Sequence, residues 1–177
     1  IVGGLVGINY GKVNQSDATG DVEGDVYVGG LVGRNKGTVN TSYATGNVSG
    51  SGGDVGGLVG KNDATVNTSY ATNDVETSSD IVGGLVGYNG GSVDQSYATG
   101  NVEGSSPAGG LVGETNYGKV TNSFWDNQTT DQSTGIGTSD DDSTITNVEG
   151  RDTTDMMTQA TFTNAGWEFS NTWSVVD

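Results

Sequence analysis

Carboxylates dominate the titratable side chains of this 177-residue chain, which has 22 Asp and Glu. Pairs of such acids hydrolyse glycosidic bonds in many enzymes. Two clusters have the right residue types: Asp17, Asp21, Glu23 and Asp25, and then Asp74, Glu76 and Asp80. Both fall in segments that vary in length and composition between otherwise similar units, which favours a solvated surface. We therefore expect no enzyme activity and no catalytic residue, with a polysaccharide-active protein as an alternative.

A run of aspartates at 140–142 offers the hard oxygen ligands that Ca²⁺ prefers. Asp140 and Asp142, with Glu149 and Asp152 nearby, are weak calcium candidates. Their spacing does not fit an EF-hand loop, which needs a Gly at its sixth position and a Glu at its twelfth. The glycine-aspartate nonapeptide of calcium β-rolls is also missing. The run is interpreted as a solvated acidic loop, and we predict neither a metal nor a cofactor.

Asn-x-Ser/Thr sequons are the glycosylation candidates of the chain: Asn14, Asn40, Asn47, Asn67 and Asn127. In a surface protein these side chains could carry glycans. Three of them, Asn14, Asn40 and Asn67, occupy one position of the repeat described below, so together they are one observation and not three.

Composition excludes several classes of function. The chain has no His and no Cys, which rules out Ser-His-Asp triads, thiolate nucleophiles and histidine-bound zinc. Six scattered Lys and Arg in a chain of net charge −16 predict no nucleic-acid partner. No apolar run approaches the ~20 residues that a membrane-spanning helix needs. The chain starts at Ile1 without a visible signal peptide, so a mature or excised segment is expected.

An internal repeat organises the chain. Gly-Gly-Leu-Val-Gly occurs five times, at intervals of 26 or 27 residues, starting at Gly3, Gly29, Gly56, Gly83 and Gly109. Each unit has a single Leu, too few for a leucine-rich repeat, and the period is too short for a propeller blade. Its short β-branched stretches, separated by Gly, Asn or Asp, are typical of strands and turns. The sequence predicts an all-β fold, a right-handed β-solenoid (β-helix) of about five rungs.

The chain is divided into repeats at 1–125 and a C-terminal loop and capping segment at 126–177. Residues 126–152 are polar and irregular and are interpreted as a long loop. Trp167, Phe169 and Trp173 then supply large aromatic side chains. Because a solenoid needs a terminal element over the end of its core, we expect this segment to close the rod.

Stacking of rungs places equivalent residues in columns about 4.8 Å apart. The expected buried columns are Leu5/31/58/85/111, Val13/39/66/93/120, Val22/48/75/102 and Ala18/44/71/98. The column Asn9/35/62/89 is placed to form a hydrogen-bonded ladder. We expect the Gly-Gly pairs to supply positive φ at a corner.

One conflict of strand parity remains within each unit. Val39 and Ala44 have opposite parity in an unbroken strand, so both point inward only if a bulge separates them. We expect Ser42 and Ala44 inside, with Tyr43, Tyr70, Tyr97 and Phe124 as an aromatic column on the outer face.

These residues resemble the GLUG repeat, named for Gly-Leu-any-Gly. Here the motif reads Gly-Gly-Leu-Val-Gly-x-Asn, followed by x-Val-x-x-Ser-Tyr-Ala-Thr-Gly-x-Val, over residues 1–125. The tail also resembles the region after such arrays, in Ser-Phe-Trp-Asp at 123–126 and Gly-Trp-Glu-Phe at 166–169. The family occurs in large secreted or surface proteins, including adhesin-like proteins of bacteria and archaea and immunoglobulin-A-cleaving metallopeptidases. In those peptidases the zinc motif lies outside the repeats. The strong acidity is similar to that of secreted proteins of halophilic archaea, with an acidic bacterial surface protein as the alternative.

The resemblance implies an extracellular or cell-surface location and a structural role. We expect a non-enzymatic, adhesin-like stalk or binding platform that presents its variable loops at 23–27, 49–54, 76–80 and 103–107. Its partner would be a surface ligand, either a glycan or another surface protein. The alternative is a virion spike or tail-fibre segment for host recognition, which a trimeric state would favour.

Overall fold

The strands of the protein are short and are repeated in the same order along the chain. A computed structural model describes residues 1–78, 81–105, 107–170 and 172–173. We call each repeat of strands a rung. The first rung contains β1 (Val2–Gly3), β2 (Val6–Asn9), β3 (Lys12–Asn14), β4 (Asp17–Ala18) and β5 (Val22–Gly24). The second contains β6 (Val28–Gly29), β7 (Val32–Asn35), β8 (Thr38–Asn40), β9 (Tyr43–Ala44) and β10 (Val48–Gly50).

The later rungs repeat this order with small changes. The third contains β11 (Asp54–Gly56), β12 (Val59–Asn62), β13 (Thr65–Asn67), β14 (Tyr70–Ala71) and β15 (Val75–Thr77). The fourth contains β16 (Ile81–Gly83), β17 (Val86–Asn89), β18 (Ser92–Asp94), β19 (Tyr97–Ala98) and β20 (Val102–Glu103). The fifth contains β21 (Ala108–Gly109), β22 (Val112–Thr115) and β23 (Lys119–Asp126). After it come β24 (Ile136–Ser139), β25 (Thr144–Arg151), α1 (Thr153–Met156) and α2 (Gln159–Thr163).

Equivalent strands of successive rungs pair in parallel and build four sheets. The first sheet has the order β1-β6-β11-β16-β21, and the second has the order β2-β7-β12-β17-β22-β24. The third joins β3-β8-β13-β18-β23 with β19-β14-β9-β4, and β25 pairs with β23. The fourth has the order β20-β15-β10-β5. This arrangement confirms an all-β solenoid of about five rungs, while its right-handedness stays a prediction.

The apolar columns expected from the sequence form the core. Leu31, Leu58, Leu85 and Leu111 are fully buried, whereas Leu5, in the first rung, is 49% exposed. The larger cluster contains the Leu column, the Ala column and the first Val column. The column Val22/48/75/102 belongs to a second cluster beside it.

The Gly-Gly pairs are required by close packing and not by backbone conformation. Among the described glycines, only Gly53 and Gly166 have positive φ, so the expectation of positive φ at the pairs is wrong. A Cβ on Gly30 would lie 2.8 Å from the Cβ of Ala44 and still closer to the carbonyl oxygen of Gly57. The glycines therefore let one side of the rung approach the other.

A bulge resolves the parity conflict within each rung. Thr41 has φ 50° and lies between β8 and β9, and Gln15, Thr68 and Gln95 have similar values at the equivalent positions. Positive φ at a non-glycine residue is uncommon and reverses the local side-chain alternation. Val39 and Ala44 are consequently both buried.

A ladder of buried asparagines links the second and third sheets, as the spacing predicts. Asn9 Nδ2 donates to Asn35 Oδ1 (2.8 Å), Asn35 donates to Asn62 (2.9 Å), and Asn62 donates to Asn89 (2.8 Å). Asn89 Nδ2 ends the ladder on Thr115 Oγ1 at 3.2 Å. Because each amide also bonds to backbone groups of the turns, the ladder fixes the register of the rungs.

Two strands at 136–151 form a partial sixth rung, which corrects the interpretation of 126–152 as a loop. β24 pairs with β22, and β25 pairs with β23 along its whole length. Trp125 of β23, in the fifth rung, occupies the column position of the alanines, between its register partners Ala98 and Gly150. Gly110, Gly135 and Gly150 leave the space that its indole fills. Trp125 therefore closes the end of the core.

Candidate functional site

An aromatic column on the outer face of the third sheet is the base of the candidate site. The rings of Tyr43 and Tyr70 stack with centroids 4.9 Å apart, and those of Tyr70 and Tyr97 with centroids 5.0 Å apart. The column continues at Phe124, whose Cα is the register partner of Tyr97. The bulge at positive φ turns these rings outward, as expected from the sequence.

The tail packs on the side of the rod, against this column. The ring of Phe162 in α2 packs edge-on against the ring of Phe124, with centroids 5.4 Å apart, and the ring centroid of Trp167 is 5.8 Å from that of Phe124. Trp167 Nε1 donates to the carbonyl oxygen of Asn122 at 2.9 Å, and Gln95 Nε2 donates to Gly166 O at 3.0 Å. The expectation that the tail aromatics close the end of the rod is therefore wrong, because they form a lateral cluster.

A groove of about 380 Å³ opens between the tail and the third sheet; we call it the aromatic groove. Its apolar lining residues are Tyr97, Met156, Met157, Phe162, Trp167, Phe169 and Trp173. Its polar lining residues are Thr72, Thr99, Asp126, Thr129 and Thr153. The Trp173 ring centroid is 5.8 Å from that of Tyr97 and 6.1 Å from that of Tyr70.

The carboxylate of the aromatic groove is held in a fixed orientation. Asp126 Oδ1 accepts hydrogen bonds from the backbone amides of Gln128 (2.9 Å) and Thr129 (3.1 Å). Thr130 Oγ1 donates to the carbonyl oxygen of Asp126 at 2.7 Å. Burial, with a smaller contribution from the neighbouring Tyr70, raises the pKa of Tyr97 well above its usual range. Tyr97 is therefore a neutral phenol at physiological pH.

A second groove, of about 530 Å³, follows the outer face of the fourth sheet; we call it the acidic groove. It contains four of the predicted cluster acids, Asp21, Glu23, Asp74 and Glu76, together with Glu103. Asp21 Oδ1 accepts from the amide of Asn47 at 2.9 Å, and Asp74 Oδ1 accepts from the amide of Asn101 at 2.8 Å.

The other acids of the two sequence clusters lie elsewhere. Asp17 is in β4 of the third sheet, and Asp25 Oδ1 accepts from Ser51 Oγ at 3.1 Å. Asp80 lies outside the described residues, as do parts of the variable loops at 76–80 and 103–107. The structure thus brings the acids of the fourth sheet together and leaves these others apart.

One of the two calcium candidates, Asp140, holds a turn together. Asp140 accepts from the backbone amide of Tyr117 with both carboxylate oxygens, at 3.1 and 3.0 Å, and from Ser143 Oγ. Asp142 lies in the same turn region. In the described part of the chain no three His, Cys, Asp or Glu residues are arranged to hold a metal ion.

The sequon asparagines divide into two groups. In the first, Asn40 Nδ2 donates to Asn14 Oδ1 (2.7 Å) and Asn67 Nδ2 donates to Asn40 Oδ1 (3.2 Å), which makes a second ladder on the surface. Attachment of a glycan to Asn40 or Asn67 would replace one of the two hydrogens of an amide that donates in this ladder. Asn47 and Asn127 are exposed outside it.

A buried ion pair on the first two sheets was not anticipated from the sequence. Asp54 is 7% exposed, and its Oδ2 lies 4.0 Å from Lys61 Nζ. Burial raises the pKa of Asp54 from 3.8 to about 6, against the opposing effect of Lys61. The Lys61 ammonium also lies 4.1 Å from the ring centroid of Tyr88. Asp54 immediately precedes a Val-Gly-Gly-Leu segment. The other units have Ile, Tyr or Pro at this position, and this departure from the repeat is the signal that could have identified Asp54.

Comparison with known proteins agrees with the repeat. The model of one family, the GLUG motif, matches residues 79–103, a segment that includes all the strands of the fourth rung. The fold and this match together define a β-solenoid repeat protein and support the GLUG-repeat family. No curated protein and no solved structure matches the chain. Within the described residues, neither helix has the length and apolar character needed to cross a bilayer.

Proposed function

We infer that this chain is a non-enzymatic, extracellular β-solenoid that serves as a stalk or binding platform in an adhesin-like surface protein. The observation that carries the proposal is the uninterrupted stack of rungs, in which parallel sheets and the asparagine ladder make a stiff rod. Such a rod holds side-chain columns and grooves at fixed spacing, which suits repeated contacts with a partner surface.

Surface labelling of the cells that produce the protein tests its location. Intact cells should bind an antibody against the rod as strongly as permeabilised cells do. Protease added to intact cells should remove the signal. A signal that appears only after permeabilisation, and that protease cannot reach in intact cells, would contradict the proposal.

The acidic groove supports a second candidate function, hydrolysis of a polysaccharide. Glu76 and Glu103 are register partners on adjacent strands, so their backbones are about 4.8 Å apart. Retaining glycosidases also use two neighbouring carboxyl groups. Reducing-end release from a panel of polysaccharides decides between the two functions. The proposed role predicts no release, whereas release that Glu76→Gln abolishes would establish the enzyme.

The strong negative charge of the protein suits an environment of high salt concentration. A net charge of −16 destabilises a compact chain by self-repulsion, and salt near ~1 M shortens the Debye length to about 3 Å. We therefore expect the unfolding temperature to rise between ~0.1 and ~2 M KCl. No rise over that interval would contradict an adaptation to a saline habitat.

A further inference from the structure

We propose that the aromatic groove binds a pyranose ring of a neutral glycan. This inference rests on the proposed function, because it names the ligand class of the binding platform. The groove lies where the non-repetitive tail covers part of the aromatic column on the outer face of the third sheet.

The apolar wall of the groove matches the less polar face of a sugar ring. Trp173 and Phe169 are only half-buried, and both line the groove beside Tyr97. The face of an aromatic ring carries negative quadrupolar charge, so it attracts the positively polarised C–H groups that a pyranose presents on one face. Tyr97 stays in place beneath them because Tyr70 stacks on it at 5.0 Å.

The polar wall offers partners for the hydroxyl groups of the same ring. Thr72 and Thr99 project from adjacent rungs, about 4.8 Å apart, because each backbone amide bonds to the rung before it. A threonine hydroxyl can donate and accept, as a sugar hydroxyl can. Asp126 adds a carboxylate, an acceptor that makes stronger hydrogen bonds than a neutral group does. An alkylammonium ion would leave these threonine hydroxyls without a partner.

Charge and size narrow the ligand class further. The described lining includes a carboxylate and no Lys or Arg, and the whole chain has a net charge of −16. Uronic acids and sulfated sugars are therefore repelled, and neutral sugars are the complementary class. The groove volume of about 380 Å³ lies within the range of small-molecule sites.

Titration calorimetry of the whole chain with neutral disaccharides tests the proposal. The panel contains cellobiose, maltose, lactose and mannobiose, with digalacturonate as the anionic comparison. We expect saturable binding of at least one neutral disaccharide and binding of digalacturonate that is at least about tenfold weaker. Trp173→Ala should weaken binding of the neutral disaccharide by about tenfold, because it removes a half-buried ring of the apolar wall.

Two further variants separate binding from folding. Asp126→Asn retains an Oδ1 that can accept from Gln128 and Thr129, and it should weaken binding several-fold while the circular dichroism spectrum is unchanged. Tyr43→Ala removes a ring of the same column that does not line the groove, and it should leave the affinity unchanged. Absence of binding by every neutral sugar, equal binding of digalacturonate, or wild-type affinity in Trp173→Ala would overturn the proposal. Surface labelling would still report on the proposed function, so the two failures are distinguishable.

Discussion

Replacing Asn62 by Ala removes the centre of the asparagine ladder. Asn62 is fully buried; its Nδ2 donates to Asn89 Oδ1 (2.8 Å) and to the carbonyl oxygens of Ala64 and Ser92, both at 3.3 Å. Its Oδ1 accepts from Asn35 Nδ2 at 2.9 Å and from the amide of Ala64 at 3.3 Å. Alanine keeps none of these bonds, and water cannot reach the groups left behind.

The size of the effect follows from this count of partners. A net contribution of about 1 kcal/mol for each bond at or below 3.0 Å, plus about 1 kcal/mol for stranded backbone groups, gives a loss of about 3 kcal/mol. Asn9 has fewer partners than Asn62: it donates to Asn35 at 2.8 Å and to Thr38 at 3.1 Å, and it accepts from the backbone amide of Gly11 at 3.0 Å. Two of these bonds are at or below 3.0 Å, and Asn9 is 6% exposed, so water can reach the groups left behind. Asn9→Ala should therefore cost about 2 kcal/mol, less than Asn62→Ala.

Urea unfolding at fixed salt, followed by circular dichroism, measures both losses. Asn62→Thr is the matched control, because Thr115 already occupies this column position and accepts from Asn89. The hydroxyl can still accept from Asn35, so this variant should lose less stability than Asn62→Ala. Equal losses at positions 9 and 62, or a loss below about 1 kcal/mol in Asn62→Ala, would refute the reasoning.

Three further predictions concern the core, its end and the buried ion pair. In urea unfolding, Leu58→Ala should lower the free energy of unfolding by about 3 kcal/mol and Leu5→Ala by about 1 kcal/mol, since only Leu58→Ala leaves an enclosed cavity. Equal losses would contradict the stacking order. Trp125→Ala should lower the free energy of unfolding by about 4 kcal/mol, because Trp125 fills the end of the core. Trp173→Ala should lower it less. A larger loss in Trp173→Ala than in Trp125→Ala would show that the tail closes the rod. Asp54 holds its proton more tightly when folded, so stability should fall as pH rises from 3.8 to about 6. Asp54→Asn should therefore be more stable than the parent by about 1 kcal/mol at pH 8, with solvent screening allowed for, and the gain should vanish near pH 4; thermal unfolding at both pH values checks this.

The columns of the core could be predicted because their positions are repeated in the sequence. A residue type that recurs every 26 or 27 positions meets its own copies when rungs stack, so the sequence alone predicts the columns of Leu58 and Asn62. The reason for the glycine pairs was not visible, because positive φ and close packing select the same residue. Only the structure distinguishes them, through the short distance between Gly30 and Ala44.

The C-terminal part could not be derived from periodicity. The partial sixth rung lacks Gly-Gly-Leu-Val-Gly, and its strand β25 is signalled only by β-branched residues such as Thr144 and Ile145. The sequence shows that Trp167 and Trp173 are large aromatic residues, but it does not show where they pack. Their lateral packing on Tyr97 depends on the path of the chain after β25. The aromatic groove is formed by that path, and so it could not be predicted either.

The separation of two surface positions along the rod tests the solenoid itself. Lys12 and Lys119 are exposed and lie in one column, joined by the register partners Thr38, Thr65 and Ser92. The chain has no Cys, so Lys12→Cys with Lys119→Cys allows specific spin labelling at these two sites. Pulsed electron paramagnetic resonance should give a narrow distribution of distances between the two labels near ~19 Å, which is four strand spacings. A broad distribution centred at several tens of ångströms, typical of a flexible chain, would contradict the stacked rungs.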